Sequence, residues 1–154
     1  MASSKVTESH RENAEIYYGE DICKQKCLEL LEEISLPKGI IPVEIVEFGR
    51  DRSTGFVWMK LKSKKEHKFK RINKVVSYDT EITFFAENGR VKKLTGIKSK
   101  ELLFWVSISD MFIEDPSSGK IFFAVRSGVR AHFPISAFEL EEDKKNSTDS
   151  KHTT

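Results

Sequence analysis

A small set of side chains in this sequence is of the kind that performs nucleophilic hydrolysis: Ser77, Ser107 and Ser136 as hydroxyl nucleophiles, His67 and His132 as bases, Asp79 as an orienting acid. Such chemistry needs a nucleophile, a base within reach and a third group that orients the base. Ser77 and Asp79 share one face of a strand, and His67 lies on the neighbouring segment. No Gly-x-Ser-x-Gly elbow is present, and serines on the wet face of a strand are commonplace, so no catalytic residue is assigned. The two cysteines, Cys23 and Cys27, fall four apart. In a helix they share a face without reaching disulfide geometry, and they supply half a zinc site at most. They read as small buried side chains. There is no Walker loop, dinucleotide glycine pattern or EF-hand. Neither a metal nor a cofactor is expected.

Charge is the second source of chemistry. The formal net charge of +2 over 154 residues rules out a polycation, so attraction to an anionic partner must come from a local patch. One exists. Lys60, Lys62, Lys64, Lys65, Lys68, Lys70, Arg71 and Lys74 fall within fifteen positions, with Glu66 the only acid among them. Lysines on an edge strand discourage sheet-to-sheet pairing, which is the bland explanation. The functional one is contact with lipid headgroups or with the carboxylate of an amphipathic ligand. Nucleic acid ranks lower, because Phe69 is the only aromatic inside the segment available for base stacking.

The aromatics are the third. Phe84-Phe85, Phe104-Trp105 and Phe122-Phe123 are apolar on both faces of their strands. Ordinary core explains much of this. A rolled sheet, however, leaves an apolar cavity between its layers, and Trp58, Phe84, Phe104, Trp105 and Phe123 are the candidates to line it. Such a cavity suits a fatty or amphipathic ligand.

The elements that must hold these groups are organised around residues 54–86: strand 54–62, basic crossing 63–74, strand 75–86. The second strand puts Val76, Tyr78, Thr80, Ile82, Phe84 and Ala86 on one face. Before it, Ile16, Cys23, Cys27, Leu30, Leu31 and Ile34 recur at helical spacing and predict a helix over 14–34, with Gly19 or Asp21 as alternative starts. Pro37 and Gly39 stop it. A hairpin pairs 43–48 with 56–61 across a polar turn. Asn88-Gly89 marks the next hairpin, in one of two registers: Ala86 opposite Val91, or Ile82 opposite Leu94. Strand 90–95 returns, 96–101 is a connector, and 102–108 reads as a central, doubly covered strand running on through 113. Turns at 115–119 and 127–128 bracket strand 120–125, and Pro134 puts the last strand, 130–138, at an edge.

The fold class is therefore mainly β: an antiparallel roll or two-sheet barrel-like fold with one N-terminal α-helix packed on it. A single domain over 13–139 is expected between disordered tails at 1–12 and 140–154. Apolar runs such as 102–106 are too short to span a bilayer, the N-terminus has no apolar signal region, and position 2 is not Gly. A monomeric, soluble, cytoplasmic protein is the expectation.

Several blocks carry a family likeness: Leu31-Glu32-Glu33-Ile34-Ser35-Leu36-Pro37-Lys38-Gly39, Thr54-Gly55-Phe56-Val57-Trp58, Glu66-His67-Lys68-Phe69, Val76-Ser77-Tyr78-Asp79-Thr80-Glu81, residues 93–102 and Phe133-Pro134-Ile135-Ser136-Ala137-Phe138. Together they resemble the plant proteins of domain-of-unknown-function family 538, over about residues 14–138. The resemblance implies a plant source and a β-rich roll or two-sheet fold with an N-terminal helix. It also implies a likeness to lipid-binding bactericidal/permeability-increasing proteins and, in another suggestion, carboxylic ester hydrolysis. No catalytic position comes with it. A binding module for an apolar or amphipathic ligand is thus the leading expectation. An ester hydrolase comes second, and a nucleic-acid or protein-interaction module third.

Overall fold

The structure is a computed structural model and describes residues 4–140. Among the described residues, ten strands form one open sheet in which every pairing is antiparallel. They are β1 (Glu15–Tyr18), β2 (Glu47–Asp51), β3 (Phe56–Lys60), β4 (Lys65–Phe69), β5 (Lys74–Glu87), β6 (Arg90–Lys100), β7 (Trp105–Ser107), β8 (Asp110–Phe112), β9 (Lys120–Ala124) and β10 (Arg130–Pro134). The path runs β1-β2-β3-β5-β6-β8-β9-β10, with β4 added to β5 and β7 added to β6. Among the described residues two α-helices accompany it, α1 (Lys5–His10) and α2 (Glu20–Glu33).

The long β5–β6 hairpin is the spine. Its two halves have different neighbours. The half nearest the Asn88-Gly89 turn pairs with β3 and β8, and the far half pairs with β4 and β7. Between them the register shifts, once between Tyr78 and Thr83 and again between Thr83 and Phe85. Such bulges bend a strand and raise its twist. The β6 backbone shows how: Lys93 has φ +52° and Gly96 φ +89°. A Cβ at Gly96 would collide with the Glu81 carbonyl oxygen, so the crossing needs glycine there.

The turn itself settles the two registers left open by sequence. Ala86 faces Val91 and Glu87 faces Arg90, so the loop has two residues. The strand 75–86 is found as β5, and its Val76, Tyr78, Ile82 and Phe84 are buried. β10 is an edge strand, as Pro134 requires, and a short 3-10 turn over Ile135–Phe138 follows it.

Other expectations are corrected. The helix over 14–34 is shorter: residues 15–18 form β1, and Gly19, at φ +107°, caps α2. Gly19 N–H donates to the Val46 carbonyl at 3.1 Å, which holds the end of β1 against the sheet rather than letting the helix run on. The helix stripe is right in kind, since Cys23, Cys27, Leu30 and Leu31 are its buried residues. The hairpin of 43–48 with 56–61 slides toward its turn and becomes Glu47–Asp51 with Phe56–Lys60. Residues 96–101 are no connector, because β6 continues to Lys100. The apolar run 102–108 is not a central strand: only Trp105–Ser107 is extended, and Leu102 and Leu103 stand 98% and 92% exposed at a hairpin tip. Apolar content alone misled here, since it cannot distinguish a buried strand from an exposed turn.

Within residues 1–12, expected as a tail, α1 is helical and docked. Ser4 Oγ accepts from Thr7 N–H, Thr7 is fully buried, and Ser4 N–H donates to Glu81 Oε2 at 3.1 Å. The expected C-terminal tail lies, from residue 141 on, outside the described residues.

Candidate functional site

Tyr78 is the centre of the candidate site. It sits on the inward face of β5 with Val76, and its phenol donates to the Ile40 carbonyl at 2.9 Å. Burial pushes that phenol up from its ordinary range, so it stays a neutral donor. Ile97 pairs with Tyr78 on β6, and Ser99 pairs with Val76. Cross-strand partners project on the same side, so these four build one wall.

The opposite wall is aromatic. Phe123 on β9 lies 5.7 Å from Phe133 on β10 and 5.2 Å from Phe138 in the following turn. Phe138 in turn lies 4.8 Å from Phe69 at the end of β4. Between the walls is a cavity of about 310 Å³, lined also by Val106, Ile108 and Met111. Its polar groups are few and include Lys74, Glu101 and Arg130. Lys74 Nζ binds Glu101 Oε2 at 2.8 Å, and Arg130 Nη1 binds Glu114 Oε1 at 2.6 Å. An apolar chamber with a few charged groups is the general form of a small-molecule site.

All the residues that line this cavity lie between Ile40 and Phe138. Residues 27–139 match the family model described as protein of unknown function, DUF538. The chain belongs to the DUF538 family. No curated protein and no solved structure matches the chain. The DUF538 region therefore takes in the whole cavity, while α1, β1 and the start of α2 precede it.

Of the five aromatic candidates in this DUF538 chain, one lines the cavity, Phe123. Trp58 is fully buried elsewhere, with its Nε1–H donating to Glu47 Oε2 at 2.8 Å. Phe84 is fully buried opposite Val57 in the half of β5 that pairs with β3. Phe104 and Trp105 are at the β6–β7 hairpin and are 64% and 37% exposed. Lining residues that sequence reasoning did not single out include Phe69, Tyr78 and Ile97. Tyr78 was legible as an inward position of β5, but nothing local marks the bulge that separates its half of the strand from that of Phe84.

The basic candidates also divide. Lys60 is 7% exposed and its Nζ lies 3.8 Å from Glu47 Oε2, so it belongs to the buried end of β3 and not to the surface with the others. Lys62, Lys64, Lys65, Lys68, Lys70 and Arg71 are exposed. β4 separates them: Lys62, Lys64 and Lys65 lie at its start, while Lys68, Lys70 and Arg71 lie about 10 Å or more further along, at its end. Among the described residues β4 pairs only with β5, so it is an edge, where lysines disfavour sheet extension.

Of the loose hydrolytic parts, Ser77 and His67 are not brought together. Ser77 pairs with Glu66 and Lys98, whereas His67 pairs with Val76, so His67 and Ser77 project on opposite faces. His132 is exposed on β10, with its ring 5.6 Å from Phe122. Among the described residues no group of three or more His, Cys, Asp or Glu side chains is placed to hold a metal ion, and no helix is long and apolar enough to cross a membrane.

Proposed function

We propose that this protein is a non-catalytic binding module for an amphipathic, lipid-like molecule, acting as a monomer in the cytoplasm of a plant cell. The observation that carries the reading is the cavity of about 310 Å³, walled by Tyr78, Ile97, Phe123, Phe133 and Phe138. An apolar recess of this size with a few charged groups at its edge is the general form of a small-molecule site. The apolar part of a ligand would lie against the aromatic wall. Its polar group would stay at the Lys74–Glu101 pair, where a carboxylate or phosphate competes with Glu101 for the ammonium.

The test is binding of a fluorescent fatty acid, cis-parinaric acid, together with native mass spectrometry of protein purified from its source tissue. Ala131 is exposed and lines the cavity, so Ala131→Trp fills the space without disturbing the core. Binding that Ala131→Trp lowers by about tenfold or more at unchanged thermal stability is the expected result. A protein that takes up no probe and carries no co-purifying molecule removes the reading.

A further inference from the structure

Three turns gather at one end of the sheet: residues 70–73 between β4 and β5, 101–104 between β6 and β7, and 125–129 between β9 and β10. The first two adjoin because Val76 pairs with Ser99, with the ion pair Lys74–Glu101 one step further out. Ile72, Glu101 and Val129, one from each turn, line the same cavity, which sets the third beside them.

The apolar residues at this end face solvent. Leu102 is 98% exposed, Leu103 92%, Phe104 64% and Val129 71%. Glu101 N–H donates to the Phe104 carbonyl at 2.8 Å, so the hairpin is closed and its tip is Leu102-Leu103. Leucine has no turn-forming property, and this chain uses Asn88-Gly89 at the other end of the same strand. A cluster of large apolar side chains at a tip lacks a folding reason, and such clusters mark interaction sites.

The surrounding charge says what kind. Residues 68–74, 98–104 and 125–130 hold eight Lys or Arg and one acid, Glu101, which is already bound to Lys74. Lys70, Arg71, Lys100 and Arg126 are exposed. An apolar tip collared by cations matches a bilayer with anionic headgroups: acyl chains accept the tip and phosphates accept the collar. Trp105, with Lys100 Nζ 5.9 Å from its ring centre, lies just behind the tip, where aromatic rings prefer the headgroup zone.

We propose that this end of the molecule docks on an anionic membrane surface, with Leu102, Leu103 and Phe104 inserted among the acyl chains and Lys70, Arg71 and Lys100 on the headgroups. The docking stands on the surface alone and does not need the cavity. Where both hold, the residues at the cavity's edge lie against the lipid.

The experiment is co-sedimentation of the full chain with vesicles of pure phosphatidylcholine and of an equimolar phosphatidylcholine–phosphatidylserine mixture, at low and physiological salt. Trp105 emission is read alongside. The wild type should bind the mixed vesicles, more weakly as salt rises, with a blue shift that Trp105→Phe abolishes. Leu102→Ser/Leu103→Ser/Phe104→Ser should lower binding by about tenfold or more, as should Lys70→Glu/Arg71→Glu/Lys100→Glu. These positions are exposed, so the melting temperature should stay put. Absence of vesicle binding, or binding that the serine variant leaves intact, overturns the proposal. So does a serine variant that changes the oligomeric state alone, which makes the tip a self-association surface. Retention of cis-parinaric acid by the serine variant without vesicles separates failure of docking from failure of the cavity reading.

Discussion

Gly49 sits directly opposite Trp58 in the β2–β3 pair, and the indole ring fills the space that a Cβ at position 49 would need. The ring is held from its polar end, because Nε1–H donates to Glu47 Oε2 at 2.8 Å. Arg11 Nη2 donates to the same oxygen at 2.7 Å, with its guanidinium 5.4 Å from the ring centre. The indole therefore cannot step aside without breaking a buried hydrogen bond. Gly49→Ala should cost ~3 kcal/mol, the upper end for an overpacked site. In a Trp58→Leu background most of that penalty should vanish, since the two residues compete for one volume. Urea unfolding of the four proteins checks this, and an additive pair of losses would show that the ring is not the obstacle.

The Asp51 carboxyl gives the acid side of the stability curve a defined contribution. Ser53 Oγ donates to its Oδ1 at 2.6 Å, and His10 Nδ1 lies 2.7 Å from its Oδ2. These contacts, the Ser53 hydroxyl first, pull the carboxyl down to about 2 from an ordinary 3.8. The folded state thus holds fewer protons than the unfolded one between those values. The stabilisation is complete above about pH 4 and disappears as pH falls through about 2. Glu33 and Glu87 are also held low, by hydrogen bonds from Arg50 and Lys92 respectively, and contribute their own slope starting from a higher ordinary value. Asp51→Asn should therefore flatten the pH dependence of unfolding between about pH 2 and 4 while leaving the part above it. Unfolding free energies measured at half-unit steps decide it, and an unchanged slope in that window would remove the assignment.

The parts of the fold legible in sequence were those whose signal is local. Asn88-Gly89 marked the hairpin, Pro134 marked the edge, and the Cys23–Cys27–Leu30/Leu31 spacing marked the buried stripe of α2. What escaped depends on partners distant in the chain. Tyr17 and Tyr18 are strand because β2 lies beside them, and a helical period ran straight through them. Tyr78 and Phe84 look alike on one strand face, yet the bulge after Tyr78 sends one to the cavity and the other to the core beside β3. Leu102 and Leu103 read as core because composition reports how apolar a residue is, not whether anything covers it. Of the aromatics named from sequence as lining candidates, Phe123 is the one that the fold brings to the cavity wall.

Ser77 offers a test that separates structure from catalysis. It is 1% exposed, and its Oγ has no hydrogen-bond partner among the described residues. It lies between Val76 and Tyr78 on β5 and faces away from the side they line. An unsatisfied buried hydroxyl costs about 1–3 kcal/mol of desolvation, whereas Ser→Ala removes one small atom and leaves little void. Ser77→Ala should therefore raise the unfolding free energy by about 1 kcal/mol, once the slightly poorer strand propensity of alanine is set against the gain. A nucleophile would behave otherwise: its loss would abolish ester turnover and do nothing systematic to stability. Thermal unfolding and an ester-hydrolysis assay on the same two samples read both outcomes. A clear drop in melting temperature would mean that the hydroxyl has a partner in solution, such as a bound water, and the expected gain would be wrong.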